Sequence, residues 1–294
     1  SSGAEGIGLF RTEFLFLNKA VPPSEDEQYE SYKIVAERCM PHSVIIRTLD
    51  IGGDKLMHLA DQTSEDNPFL GCRAIRLCFA QPELFKTQLR AILRAGVHGH
   101  MRLMYPMIGQ AEELRRANAL LEECKKELAG RGVPYRHDIE VGSMIELPAA
   151  ALIADQLAKE VKFFSVGSND LVQYTMAVDR GNERIAHLYQ PTHPAVLRLL
   201  AMAATAAHDN GIWIGICGEM ASEIHLTPLL LGLGIDEFSV VTPAVPRIKK
   251  ALQSLDSQAC QEFAGRAASM TDPQEIEAMC RDYAKQHYPD LFDL

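Results

Sequence analysis

Ser165-Val-Gly-Ser-Asn-Asp-Leu-Val-Gln-Tyr-Thr-Met-Ala-Val-Asp-Arg-Gly-Asn182 decides the reading of this chain. The apolar run Phe163–Val166, with Val161 just before it, reads as a buried parallel strand. It stops at Gly167, Ser168, Asn169 and Asp170, and a helical pattern follows. Polar side chains therefore stand at the carboxyl end of a core strand and the amino end of a helix. In α/β folds ligands bind there, because unpaired backbone N–H groups and the positive end of the helix dipole point outward. An Asp at such a point can hold a divalent cation, and Arg180 can reach an anion held by that cation.

The same alternation runs along the whole chain. Strands are predicted at Ile7–Phe10, Val44–Leu49, Met101–Met107, Ile139–Ile145, Phe163–Val166, Ile212–Cys217 and Glu237–Val240. Helices are predicted at Glu25–Arg38, Pro82–Ala95, Gln110–Ala129, Pro148–Glu160, Ala195–Asn210 and Glu223–Leu231, with short helices after Pro246, of which Pro273–Gln286 is the clearest. Repeated strand–helix alternation marks a parallel sheet. The length of 294 residues suits a (β/α)8 TIM-type barrel, which takes about 250. Seven runs rather than eight are visible, and the first starts close to residue 1, so the expectation is a barrel lacking its first strand in this chain. No linker or repeat divides it, and residues 1–294 are expected to form one domain with a helical tail from about 247.

Composition narrows the function. Apolar residues make up 47% and charged residues 23%, as in a globular protein, and the net charge of −10 argues against a nucleic-acid surface, which needs a basic stripe. No apolar run approaches the roughly 20 residues that span a bilayer, and no signal peptide is visible at the start. Seven scattered cysteines without a CxxC pair give neither a disulfide framework nor a zinc ribbon, and a reducing cytoplasm is the expected setting.

The strand ends carry the chemistry. Arg11 and Glu13 follow the first run; Arg47, Asp50 and Lys55 follow the second; Glu146, Asn169 with Asp170, and Cys217 with Glu219 follow later ones. A further loop, Asn67–Arg76, holds Arg73 and Arg76. A charged residue after a strand is usually a solvated loop or a cap. Arg47 and Glu146, however, sit inside apolar surroundings, and a buried charge needs a partner. All lie at the same ends of strands, which in a barrel converge on one pocket. Arg11, Arg47, Arg73 and Arg180 offer planar forks for carboxylate and phosphate oxygens. Glu146 and Asp170 offer two hard oxygen ligands, the sparse set with which Mg2+ keeps water and substrate in its shell. A small anion bearing both carboxylate and phosphate fits these groups. The phosphate-loop, HExxH and GxSxG motifs are absent. His98 and His100 read as a polar loop, and Cys217 reads either as a small buried hydrophobe or as a chemical group.

The strings GIGLFRTEFLF, RTLDIGGDK, NPFLGCRAIR, SNDLVQYTMAVDRGN, HLYQP and CGEMA resemble the carboxy-terminal, phosphoenolpyruvate-binding barrel of enzyme I of the bacterial sugar phosphotransferase system, from Gly3 to about Lys250. Dikinases and phosphoenolpyruvate synthases share the fold with fewer of these residues. The resemblance implies that Arg11, Arg47, Arg73 and Arg180 bind the phosphate and carboxylate of phosphoenolpyruvate, that Asn169 contacts the phosphate, and that Glu146 and Asp170 ligate Mg2+. It also implies that Cys217 protonates the enolate carbon, with Lys55 a weaker member of the site. It further implies a homodimer and, as partners, an amino-terminal phosphohistidine domain and a small phosphocarrier protein. Two departures stand out. Cys72 replaces the family's usual Trp, and none of the ten histidines has the context of the phospho-accepting one. The expectation is a piece of a longer phosphotransferase that binds phosphoenolpyruvate without completing transfer alone. The alternatives are the barrel of a dikinase or synthase, and a non-catalytic module that senses phosphoenolpyruvate.

Overall fold

The computed structural model describes residues 3–17, 19, 21–52 and 65–292. Its contacts divide the chain into two compact units, Glu5–Met144 and Ile145–Leu294, the latter with Ser1–Ala4. Seven strands are described: β1 (Gly6–Phe10), β2 (Ser43–Arg47), β3 (His100–Tyr105), β4 (Glu140–Ile145), β5 (Phe163–Gly167), β6 (Trp213–Cys217) and β7 (Glu237–Phe238). Within each unit neighbouring strands follow chain order, with parallel pairing wherever register is resolved. This is the (β/α) TIM-type barrel class expected from the sequence. Among the described residues, no helix is long and apolar enough to cross a membrane.

In the first unit β1 to β4 pair in turn, with Ile7 opposite Val44, Val44 opposite Met101 and Met104 opposite Gly142. Val44, Ile45, Ile46, Leu103, Met104 and Tyr105 are fully buried. The helix Pro82–Ala95 covers them with Phe85, Leu89, Ile92 and Leu93, a one-sided stripe at helical spacing. The helix Glu25–Cys39 starts at a capping box, in which Glu27 N–H donates to Ser24 Oγ and Ser24 N–H donates to the Glu27 carboxylate.

In the second unit Phe163 lies opposite Trp213 and Gly167 opposite Cys217. The two facing rings stack at 4.8 Å, a cross-strand pair that locks this register. The helix Pro194–Asp209 buries Val196, Leu200, Ala203 and Ala207. Three helices follow β7: Val245–Gln253, Ser257–Ser269 and Pro273–His287. They close a separate apolar cluster of Ile224, Ile248, Ala251, Ala284, Tyr288 and Leu291.

Several local expectations shift. The predicted helix over 148–160 divides into Pro148–Leu152 and Ala154–Leu157, because Ile153 takes φ −113° and ψ 20°, outside the helical well. The predicted helix over 223–231 opens as a 3-10 turn, Ile224–Leu226. Its α-helical part, Thr227–Gly232, has Pro228 in the first turn, where the missing N–H costs nothing. The Asn67–Arg76 loop runs into a short helix, Ile75–Ala80, after Ala74 takes a positive φ of 52°.

Candidate functional site

In the first unit the polar residues at the ends of β1 and β2 form one ionic cluster. Arg47 is the last residue of β2, so its neighbours in the strand bury it to 8% exposure. Its guanidinium reaches Glu13 Oε1 at 2.9 Å and Asp50 Oδ2 at 3.0 Å. Arg73, 9% exposed, donates from Nη2 to Asp50 Oδ1 at 2.8 Å and from Nε at 3.2 Å, and its plane lies over the Phe69 ring. A backbone bridge between Gly52 and Arg73, and the Ala74 N–H donating to the Ile51 carbonyl, carry the Asn67–Arg76 segment to this point. Asp50 N–H donates to Glu13 Oε1, so one carboxylate anchors both the side chain of Arg47 and the main chain of Asp50. Burial pushes the Asp50 carboxyl up, but Arg47, Arg73 and then Arg11 outweigh it and hold its pKa below the usual value. Arg11 itself is exposed at the end of β1.

In the second unit the strand ends of β5 and β6 are tied together. Ser168 Oγ donates to the Cys217 carbonyl at 2.6 Å, and Glu219 N–H donates to Asn169 Oδ1 at 3.0 Å. Gly218 between them takes φ +95°, and a Cβ there would stand 2.4 Å from Ser168 Oγ. Cys217 is 4% exposed, and its thiol donates to the Val166 carbonyl at 3.3 Å. Arg180 pairs with Glu219 at 3.1 Å, and its N–H donates to the buried Gln173 amide. Tyr189, of the HLYQP string, has its phenol pushed up to about 12 by burial and by Glu219, against the pull of Arg180. Glu146 is 1% exposed just beyond β4 and Asp170 stands in the first turn of the helix Ser168–Met176. A carboxylate oxygen of each lies within 4.8 Å of the other. Two hard oxygens at that spacing fit a divalent cation that keeps the rest of its shell for water and substrate.

Arg47 and Arg73 thus meet on one carboxylate, Glu146 and Asp170 stand together, and Asn169 and Cys217 belong to one tied turn. Arg11 and Arg180 are the more exposed forks, at 44% for the Arg180 side chain. Lys55 lies outside the described residues. Cys72 is half-buried beside Arg73; burial and then Glu65 push its thiol up. Sequence reasoning did not single out Glu13 and Asp50 as the partners Arg47 required, nor Ser168. A carboxylate three residues beyond a buried arginine, as Asp50 is, was the available signal.

The family of PEP-utilising enzymes, through its PEP-binding domain, matches residues 1–257. The chain belongs to that family. Among PEP-utilising relatives, the phosphoenolpyruvate-protein phosphotransferase of Bacillus subtilis is 48% identical over 284 residues, 97% of this chain and 50% of the relative. The enzyme of the same name from Staphylococcus carnosus is 49% identical with the same coverage. The chain therefore spans about half the length of these relatives. Among solved structures, Haloferax volcanii malate synthase in its pyruvate/acetyl-CoA ternary complex covers 90% of this chain and 79% of its own. Its TM-score is 0.51 at 12% identity, a likeness of fold alone.

Proposed function

We propose that this chain is the phosphoenolpyruvate-binding part of a phosphoenolpyruvate–protein phosphotransferase of the sugar phosphotransferase system, and that residues 1–294 act as one domain with the helical tail from about 247. Arg11, Arg47, Arg73 and Arg180 bind the substrate's phosphate and carboxylate, Asn169 contacts the phosphate, and Glu146 with Asp170 holds Mg2+. Bound there, the cation supplies positive charge to phosphate and enolate oxygens. Catalysis of phosphoryl transfer is mostly positioning and charge neutralisation, which fixed arginines supply. The P–O bond to the enol oxygen breaks, and the phosphoryl group passes to an imidazole nitrogen on a separate amino-terminal domain. Cys217 then gives its thiol proton to the methylene carbon of the enolate, forming pyruvate. From the histidine domain the phosphoryl group passes to a small phosphocarrier protein. A homodimer in the cytoplasm is the expected setting.

One observation carries this reading: buried guanidiniums fixed on Asp50 in one unit accompany, in the other, a two-carboxylate cation seat and a thiol held at a strand end. These are the parts that a doubly acidic, metal-assisted substrate requires. Calorimetry with phosphoenolpyruvate, with and without Mg2+, tests it; binding that strengthens with Mg2+ is expected. Arg47→Ala or Arg180→Ala should weaken binding at least about thirtyfold, the loss of one charged partner, and Asp170→Ala should abolish the Mg2+ dependence. Unchanged affinity in all three variants refutes the residue assignment. Pyruvate released on adding a separately expressed histidine domain distinguishes transfer from sensing.

A further inference from the structure

We propose that Gln88 is a positioning residue for the anion-binding end of the first unit, acting through Thr12 on Arg47 and through Leu49 on Asp50; this rests on the phosphoenolpyruvate reading above. Gln88 lies on the buried face of the helix Pro82–Ala95, among Phe85, Leu89 and Ile92, and is 1% exposed. An amide on an apolar helix face costs stability unless its hydrogen bonds are made. None of the partners it finds is on its own helix. Its Nε2 donates to Thr12 Oγ1 at 3.1 Å and to the Tyr32 hydroxyl at 3.2 Å, and its Oε1 accepts from the Leu49 N–H at 2.9 Å.

The directions of these bonds follow from the partners. Tyr32 donates onward to Gln28 Oε1 at 3.0 Å, so its oxygen is an acceptor for Gln88. Thr12 donates its own hydroxyl proton to the Arg47 carbonyl at 3.0 Å, so it too accepts from Gln88. One buried side chain therefore grips two strand-end segments. Thr12 stands between Arg11 and Glu13, and Leu49 immediately precedes Asp50. Arg47 thereby has both its carbonyl and its guanidinium referenced to the segment after β1, the first through Thr12 and the second through Glu13. A core filler needs only to be satisfied. Gln88 is satisfied by the very segments from which Arg11, Arg47 and Asp50 project, and small displacements of such groups weaken grip on a ligand.

The test compares Gln88→Met, nearly the same shape without the amide, with Thr12→Val, which deletes the one hydroxyl that links Gln88 to the Arg47 carbonyl. Each is titrated with phosphoenolpyruvate at saturating Mg2+ and, separately, with Mn2+ alone, which reports the Glu146–Asp170 seat. Both variants should bind phosphoenolpyruvate roughly tenfold more weakly while the Mn2+ affinity stays within twofold of the parent. Parent-like phosphoenolpyruvate affinity in either folded variant overturns the proposal. So does a parallel loss of both affinities, which marks general loosening. If Gln88→Met does not fold, Thr12→Val decides by the same two titrations. A parent chain that binds Mn2+ and not phosphoenolpyruvate fails the functional reading instead, and the role of Gln88 falls with it.

Discussion

Asp50 keeps only 3% of its side chain in contact with solvent and holds two guanidinium groups on its two oxygens. Isolated, such a carboxylate would take up a proton; with Arg47 and Arg73 in place it stays charged below its ordinary 3.8. Asp50→Asn keeps the shape and removes the charge, leaving two largely buried arginines short of a partner. It should cost about 3–5 kcal/mol in urea unfolding at pH 7. The folded pKa lies below the unfolded one, so the contribution of Asp50 is fully present above pH 3.8 and is lost as pH falls through the folded value. The gap between parent and variant should hold steady from pH 7 to about 4 and narrow below that. A gap that stays constant in more acid solution would show that Asp50 is not the group being titrated. That Arg47 would need a partner was legible from its place at the end of Val44–Ile46. Asp50, three residues on, was within reach of that reading; Glu13 was not, since it is 34 residues away.

The turn after β6 is the element with least freedom. Gly218 at φ +95° lies in a region that side chains rarely enter, and Ser168 Oγ and Asn169 Oδ1 occupy the space a Cβ would need. Gly218→Ala should lose about 1–3 kcal/mol from backbone strain alone, read as a lower urea midpoint with unchanged slope. On the function proposed above, the same turn carries the proton donor Cys217, so with the separate histidine domain added the variant should also slow pyruvate release more than it weakens phosphoenolpyruvate binding. A midpoint equal to the parent's would show that the turn relaxes without penalty. Strand and long-helix positions were readable from periodicity, which the backbone itself sets at two or 3.6 residues. The break at Ile153 and the short helix Ile75–Ala80 were not, because both hang on single φ/ψ choices.

Across the second unit, the carboxy-terminal helices are part of the packing rather than an appendage. The Tyr288 hydroxyl donates to the Ile224 carbonyl at 2.7 Å, Glu277 pairs with the buried His225 at 2.7 Å, and Arg247 donates to the Leu291 carbonyl at 2.6 Å. Tyr288 is 3% exposed and stacks on Phe292. Tyr288→Ala empties the middle of the cluster that Ile224, Ile248 and Leu291 line, and should cost roughly 3–5 kcal/mol, seen as a lower thermal midpoint. A variant that melts with the parent would mean that the tail does not contribute to the unit's cooperative unfolding. Helix formation after Pro246 was expected; the seat of those helices on Ile224 and His225 is a matter of tertiary packing.

What the amino-acid order alone determined was the strand–helix alternation, the polar residues placed after strands, and the strings that mark the family. These are local properties: side-chain burial repeats with the period of the backbone, and a strand ends where its apolar run ends. Only the tertiary structure decided the pairings. Arg47 and Arg73 share Asp50, Ser168 and Asn169 clamp the Cys217 turn, and an amide on a distant helix, Gln88, holds two strand ends. Apart from Arg47 and Asp50, these partners lie 23 to 76 residues apart, and no periodicity links them. They meet only because parallel strands, once registered, bring their carboxyl ends level, so that side chains remote in the chain compete for the same few hydrogen-bonding directions.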